Sequence, residues 1–330
     1  MRRLTYFVLL LAGLYSGYWF IGQSAVERGV RDAITQARAD GWQISYGRLD
    51  TVGFPSRFDT TITEPVVSPP DGVWRWDAPF LQVFALSYQP NRIIAAFPNE
   101  QALRVGAETV QISSSGLRLS AGVKAATDLA FDAATAEVGA SMFASDAGWD
   151  ASLQRALIAI RAQTHVDAAY DVYLDADQLQ LPDAVVTQID PKGHLGQTVS
   201  RVVVDGAVTL DSPLDRHAFD GTGPTPRATK FVLRELILDW GDVTVRGSGR
   251  FDIDAAGVLD GRITLVSAEW RQMIDLLVAA QVIDAGVAPT VTKLAAAMAA
   301  ADGTLDLPVL FRDGTMFLGP IPIGPAPRLN

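Results

Sequence analysis

The side chains able to do chemistry are few and scattered. Three histidines, His165, His194 and His217, stand far apart, and none has a second histidine three or four residues away. The helical metal pairs are therefore missing, and each reads as an ordinary loop or strand histidine. "FDIDAAGVLDGRI" sets Asp252, Asp254 and Gly257 in an order that imitates a calcium loop. Ala256 stands where a carboxylate or amide is needed, and Ile263 where the closing glutamate belongs. A hairpin turn between "GRFDI" and "VLDGRITLV" accounts for the same residues. "GTGPTPRATK" lacks the G-K-[ST] ending of a phosphate loop, and its prolines remove backbone donors. No G-x-S-x-G elbow occurs. The absence of cysteine excludes disulfides, thiolate zinc sites, iron–sulfur centres and cysteine nucleophiles. The expectation is a protein without catalytic residues, metal or cofactor. An enzyme built on scattered carboxylates is the third reading, to be revived by a cleft holding two convergent acids.

"TVGFPSRFDTTIT" (51–63) puts an arginine and an aspartate after a turn-forming Gly-Phe-Pro. Gly53 and Pro55 suit a turn or bulge, and Pro55 holds Phe54 extended. Beyond it Phe58, Thr60 and Ile62 share one strand face, while Arg57, Asp59, Thr61 and Thr63 share the other. Arg57 and Asp59 then form a surface ion pair rather than a reactive dyad. Phe54 either plugs the core at a bend or forms the lip of a groove.

These residues need elements to position them, and the first is apolar. "MRRLTYFVLLLAGLYSGYWFIG" opens on two arginines and runs apolar from Leu4 to Ile21. That is about 18 residues, the lower end of what crosses a bilayer as a helix. Leu4, Phe7, Leu10, Leu14, Trp19 and Ile21 are read as its anchoring residues. Tyr15, Tyr18 and Trp19 cluster where aromatic rings favour the headgroup layer, and Arg2 and Arg3 should stay cytoplasmic. The expected location is the inner membrane, single-pass, with the body in the periplasm. The rival is a cleaved signal peptide, but bulky residues fill the region where an A-x-A site would fall, so an uncleaved signal-anchor is expected. Next, "SAVERGVRDAITQARADGW" places Val26, Val30, Ile34 and Ala37 at helical spacing, with Ser24 as N-cap and Gly41 as stop. The expected segments are a transmembrane anchor (1–22), a juxtamembrane helix (23–40) and an elongated β-rich body (41–330) with a soft division near 195.

From Trp42 onward the pattern has period two. Short runs such as "WQISYGRLDTV", "FLQVFALSY", "TVQISS", "RVVVDGAVTL" and "FVLRELILDW" are separated by Gly, Pro, Asn and Asp. The spacing predicts a mainly β (α+β) fold of curved antiparallel sheets, forming a groove or a sandwich. "LPDAVVTQIDPKG" predicts a short helix before Pro191, and 268–300 a helical hairpin. In the hairpin Trp270, Met273, Ile274, Leu277 and Val278 share one face, with Ser267 as a cap, and Val291, Leu294, Ala295 and Met298 share the next. "DRHAFDGTGPTPRATK" (215–230) is a long loop. With 48% apolar and 19% charged residues the chain is globular, and its net charge of −10 argues against nucleic acid as a partner.

"YSGYWFIG", "GFPSRFDTTITEP", "WDAPFLQVFALSYQPNRIIAAFP" and "FLGPIPIGPAPRL" resemble an uncharacterised alphaproteobacterial envelope family, domain of unknown function 2125. The resemblance covers nearly the whole chain and brings no activity with it. "GSGRFDIDAAGVLDGRITL" and "LDLPVLFRDGTMFLGPIPIG" are similar in texture to AsmA-like proteins, which are membrane-anchored and extend β-sheets into the periplasm. That resemblance implies a curved sheet handling lipid, or a role in envelope assembly. Two readings follow. In one, an apolar β groove binds or guides lipid, with Phe54, Trp74, Trp76, Phe80 and Phe84 as candidate groove or interface residues. In the other, the same surface is a non-enzymatic scaffold for envelope proteins.

Overall fold

A computed structural model describes residues 2–190, 193–219 and 223–328. Strands hold 50% of the chain and helices 21%, so the mainly β reading stands. The chain forms two compact units. The first contains residues up to Val123 together with Ala136–Gly148, and the second contains Lys124–Thr135 and everything from Trp149 on. The break therefore does not fall near 195. That position lies in the connection between two long strands of the second unit that pair along most of their length.

The first unit opens on a single helix, α1 (Arg2–Ala39). The expected separation into an anchor and a juxtamembrane helix is not seen. Ser24 does not cap a new helix, because its hydroxyl donates back to the Phe20 carbonyl at 3.0 Å within an unbroken one. Gly41, with φ +94°, ends the helix as expected. Val26, Val30, Ile34 and Ala37 are half-buried along its sheet-facing stripe.

The strands of this unit are β1 (Gln43–Ser45), β2 (Arg48–Val52), β3 (Arg57–Thr63), β4 (Val66–Ser68), β5 (Trp74–Asp77), β6 (Phe80–Leu86), β7 (Gln89–Phe97), β8 (Glu100–Val105), β9 (Glu108–Ser114) and β10 (Leu117–Val123). After them β11 (Phe131–Val138) leads from the second unit into β12 (Ser141–Ser145). Pairing runs β2–β3–β6–β7–β10 in one half and β1–β4–β5–β8–β9–β12 in the other. Consecutive pieces such as β5 and β6 are thus two arms of one long strand, bent at a short corner. The corners hydrogen-bond to one another: Gly47 N–H to Thr63 O (2.8 Å), Glu64 N–H to Pro79 O (2.8 Å), and Ala78 N–H to Pro65 O (3.2 Å). The line continues with Ser114 N–H to Asn99 O (2.7 Å) and Gly139 N–H to Gly116 O (2.8 Å). Together they form one crease across the sheet. An extra residue at a corner shifts the phase of side-chain alternation, as a β-bulge does. Glu64, at φ +50°, is one such residue. The shift keeps apolar side chains on the same face on both sides of the crease.

The second unit is a meander. β13 (Asp150–Leu153), β14 (Arg155–Ala162), β15 (Ala169–Gln180), β16 (Thr198–Leu210), β17 (Ala228–Trp240), β18 (Val243–Ile253), β19 (Leu259–Ser267), β20 (Leu305–Arg312), β21 (Thr315–Leu318) and β22 (Ile321–Pro325) follow in order. From β14 on, each pairs antiparallel with the next. The expected short helix is α2 (Asp183–Ile189), and the 215–230 loop contains one helical turn, α3 (Arg216–Phe219). Pro191 and positions 220–222 of those predicted segments lie outside the described residues. The helical hairpin is α4 (Trp270–Ala279) and α5 (Ala288–Met298), inserted between two strands that still pair. Trp270, Met273, Ile274, Val291 and Ala295 are buried against Leu305, Leu307 and Val309 of β20 in the main core. Ser267 serves the approach to α4, its hydroxyl accepting the Glu269 N–H at 3.1 Å. The Asp254 segment is the expected hairpin turn, its carboxylate accepting the N–H groups of Ala256 and Val258.

Candidate functional site

The two faces of the first unit's sheet differ sharply. One carries Arg-x-Asp ion pairs on neighbouring positions of a strand: Arg48–Asp50, Arg57–Asp59 and Arg75–Asp77. Arg57 also lies over the Phe84 ring, 5.3 Å from its centroid. The other face is apolar. Along β7 and β8 the odd positions Ile93, Ala95, Phe97, Gln101, Leu103 and Val105 point the same way, passing the corner at Pro98 without a change of phase. Their cross-strand neighbours on that face are Leu117 and Leu119 on one side, and Trp74 and Trp76 on the other. Trp74, Trp76, Phe97, Leu103, Val105 and Leu117 line a groove of about 530 Å³.

The groove is shaped by contacts at its base. Trp76 meets Phe97 edge to face, with centroids 5.9 Å apart, and donates its indole N–H to Gln101 Oε1 at 2.9 Å. Gln101 in turn donates to the Pro98 carbonyl at 3.0 Å. Its polar atoms are therefore satisfied inside the protein, and what faces the groove is apolar. Helix α1 packs on the same face, at Phe58. A side chain at Gly22 would place its Cβ 2.6 Å from the Phe58 ring, so the helix can lie against this face only because residue 22 has none. Trp19 is 3% exposed and packs on Phe58.

The same helix serves the sheet's edge. A free edge strand presents unpaired backbone groups. Here Trp19 Nε1 donates to the Arg57 carbonyl, Gln23 Nε2 to the Thr51 carbonyl and Arg31 to the Leu49 carbonyl, while Glu27 accepts the Thr51 N–H at 3.0 Å. The four helix residues are spaced by four, one turn apart.

Each predicted site residue can now be placed. Trp74 and Trp76 line the groove. Phe80 and Phe84 pair with Thr63 and Asp59, which puts them on the opposite, charged face. Phe54 sits at the β2–β3 turn, 53% exposed, with its ring against Trp19 and Phe20. Of the anchoring residues, Leu4, Phe7, Leu10, Leu14 and Ile21 are exposed, on the half of α1 that is long and apolar enough to cross a membrane. Trp19 is instead a packing residue. Phe97, Leu103, Val105, Leu117, Leu119 and Gln101 were not singled out from sequence. Their signal was the odd-numbered alternation that continues through Pro98.

Titratable groups gather elsewhere, on one face of β14–β17. Asp175, 7% exposed, lies between Arg155 (3.3 Å) and Arg201 (3.5 Å). Arg234 bridges Asp171 and Asp205. The Arg234 hydrogen bond holds the Asp171 carboxyl below the usual range, with a smaller contribution from Gln163. Burial, followed by the Asp175 charge, pushes the Tyr173 hydroxyl up. Asp171 is held as the ionised partner of Arg234, and Asp205 bonds the same guanidinium, so the two carboxylates face a cation rather than each other. His165 is exposed in a loop, His217 is in α3, and His194 borders a separate 240 Å³ pocket with Asp190 and Asp275. Asp190 there accepts the Leu195 N–H at 2.6 Å and shapes the turn. Among the described residues no three His, Cys, Asp or Glu side chains gather as a metal site would need.

A family model described as "Uncharacterized protein conserved in bacteria (DUF2125)" matches residues 19–327. No curated protein and no solved structure matches.

Proposed function

We propose that this chain, which belongs to the DUF2125 family of uncharacterized proteins conserved in bacteria, holds the acyl chains of a membrane lipid on the groove face of its first unit. The observation that carries the reading is the apolar lane itself. Ile93, Leu119 and Val105 on that face remain 39%, 38% and 46% exposed. The opposite face carries apolar side chains too, Ile94 among them at 47% exposure, but there they are interspersed with ion pairs. Water is a poor occupant for such a surface, since each methylene moved out of water contributes about 0.8 kcal/mol. A lipid already in a bilayer gains almost none of that on moving to an apolar groove. The expected action is therefore guiding or transient holding rather than tight capture. The lane begins at Ala85 and Ile93, beside the hairpin tip that Tyr18 bonds, so an anchored helix keeps that end at a membrane surface, while the groove at Trp74 and Val105 lies toward the far tip. We place the anchor in the inner membrane and the body in the periplasm, following the two arginines ahead of the apolar run. The AsmA-like texture of the later strands fits the same picture. The reading assigns no catalytic step and no cofactor.

The test is lipid extraction and native mass spectrometry on the full-length chain purified in mild detergent. Co-purifying lipid that is lost in Leu103→Glu or Leu119→Glu, with the fold intact by circular dichroism, is the expected result. Equal lipid in the variants and the parent would sink the groove reading. A constant protein partner trapped by crosslinking in cells, with no lipid, would favour the scaffold instead.

A further inference from the structure

We infer that two hairpin tips of the first unit, Phe54–Pro55 and Ser87–Tyr88, form a lip inserted into the bilayer surface, through which an acyl chain reaches the groove. The argument starts from depth. The apolar run from Leu4 to Ile21 is about 27 Å long at 1.5 Å per residue, close to the thickness of a hydrocarbon core. The tips are bonded inside that run, not beyond it. Tyr15 donates its hydroxyl to the Pro55 carbonyl at 3.0 Å, and Tyr18 donates to the Ser87 carbonyl at 2.6 Å. Tyr15 stands six residues before Ile21, which is about 9 Å down the helix axis. A body tied at that level cannot stay clear of the membrane if the helix spans it.

The composition of the tips agrees. Val52, Phe54, Leu86 and Tyr88 are 60%, 53%, 37% and 70% exposed. Phe54 stacks on Phe20, itself exposed on the spanning helix, with centroids 6.1 Å apart. Exposed tyrosine near the end of an apolar run is the arrangement that aromatic belts use, and an exposed phenylalanine beside it suits the apolar layer just below. The far hairpin tip, at Gly106–Ala107, has exposed Val73 and Val105 beside it but carries no phenylalanine or tyrosine. From the lip the groove face continues upward through Ala85 and Ile93 to Phe97 and Trp76. The inference rests on α1 spanning the bilayer, and it adds to the groove reading the route by which lipid arrives.

The chain has no cysteine, so single substitutions place one spin label each. Phe54→Cys, Tyr88→Cys and Ala107→Cys of the full chain would be labelled and reconstituted in phosphatidylcholine–phosphatidylglycerol nanodiscs. Power-saturation electron paramagnetic resonance then compares access to oxygen with access to a water-soluble nickel chelate. The expected result is a shift of the ratio toward oxygen at 54 and 88, and toward nickel at 107. Ratios at 54 and 88 matching that at 107 would overturn the lip. If substitution at a tip unfolds its hairpin, Val52→Cys and Leu86→Cys read the same depth. The labels report depth whether or not the groove holds lipid, so this test and the extraction test fail independently.

Discussion

The indole N–H of Trp76 is held by the side-chain carbonyl of Gln101, 2.9 Å away, on the floor of an otherwise apolar groove. Gln101 is 6% exposed, and its amide nitrogen is already committed to Pro98. The pair turns two polar side chains into part of an apolar surface, and it does so at the corner where β7 becomes β8.

Removing one partner separates stability from lipid binding. Trp76→Phe keeps most of the ring's packing on Phe97 but leaves Gln101 Oε1 buried without a donor. The cost should be about 1–3 kcal/mol, the usual penalty for an orphaned buried acceptor. Urea unfolding measures it. Lipid recovery should fall less than in Leu103→Glu, because Trp76→Phe leaves the groove apolar. A midpoint unchanged from the parent would mean that the hydrogen bond carries no weight.

The edge of the sheet makes a second prediction. Thr51 is 1% exposed, and its N–H has Glu27 as acceptor. Glu27→Ala should cost about 1–3 kcal/mol for the same reason. It should also raise hydrogen exchange at Thr51 before it affects the far strand β9, because only the edge loses its cover. Uniform exchange changes across the unit would instead indicate global loosening. Glu27→Gln, which can still accept, should restore most of the protection.

Much of this fold was legible in the residues. The alternation of "RFDTTIT" placed Phe58 inside and the Arg57–Asp59 pair outside, where the 2.8 Å contact is found. The helical spacing of Trp270, Met273 and Ile274 likewise located a buried hairpin face. The crease was harder to see. At Gly47, Glu64–Pro65, Pro79 and Gly116 the alternation slips by one residue, and each slip on its own reads as a strand end. Only the hydrogen bonds between corners show that the slips lie on one line. For the same reason Phe80 and Phe84 were grouped with Trp76, although the corner at Pro79 turns them to the other face. The edge-binding role of Trp19, Gln23, Glu27 and Arg31 left only a four-residue spacing in a mixed charge run, a pattern that surface helices also carry.

Gly22 offers a steric test of how α1 packs on the sheet. Its missing Cβ is what lets α1 approach Phe58, which is 3% exposed and has little room to retreat. Gly22→Val should push helix and sheet apart and weaken the Trp19 bond to Arg57, lowering stability by about 1–3 kcal/mol as overpacking does. Gly22→Ala should do the same to a smaller extent. Helix propensity alone pulls the other way, since Ala exceeds Gly by about 1 kcal/mol in a helix interior. A stabilised Gly22→Ala variant would therefore show that the ring yields and that the close approach is not a constraint.

The charged face of the second unit predicts a pH effect with a defined sign. Arg234 lowers the Asp171 pKa in the folded state relative to the unfolded chain. A depressed carboxyl stabilises the fold at pH values above its unfolded pKa, about 3.9 for aspartate, and that contribution is lost as pH falls through the folded value. Arg234→Gln should therefore cost stability near neutral pH and cost much less in strong acid, where Asp171 is protonated in either protein. The effect should be small, because the Asp171 and Arg234 side chains are 44% and 41% exposed and solvent screens them. Urea midpoints of both proteins between about pH 2.5 and 7 give the comparison. Curves that converge toward low pH support the ion pair as the source of the shift. Curves that stay parallel would show that Arg234 acts through packing of its stem across β16 and β17, and that the row of charges keeps this face solvated without tuning any one carboxylate.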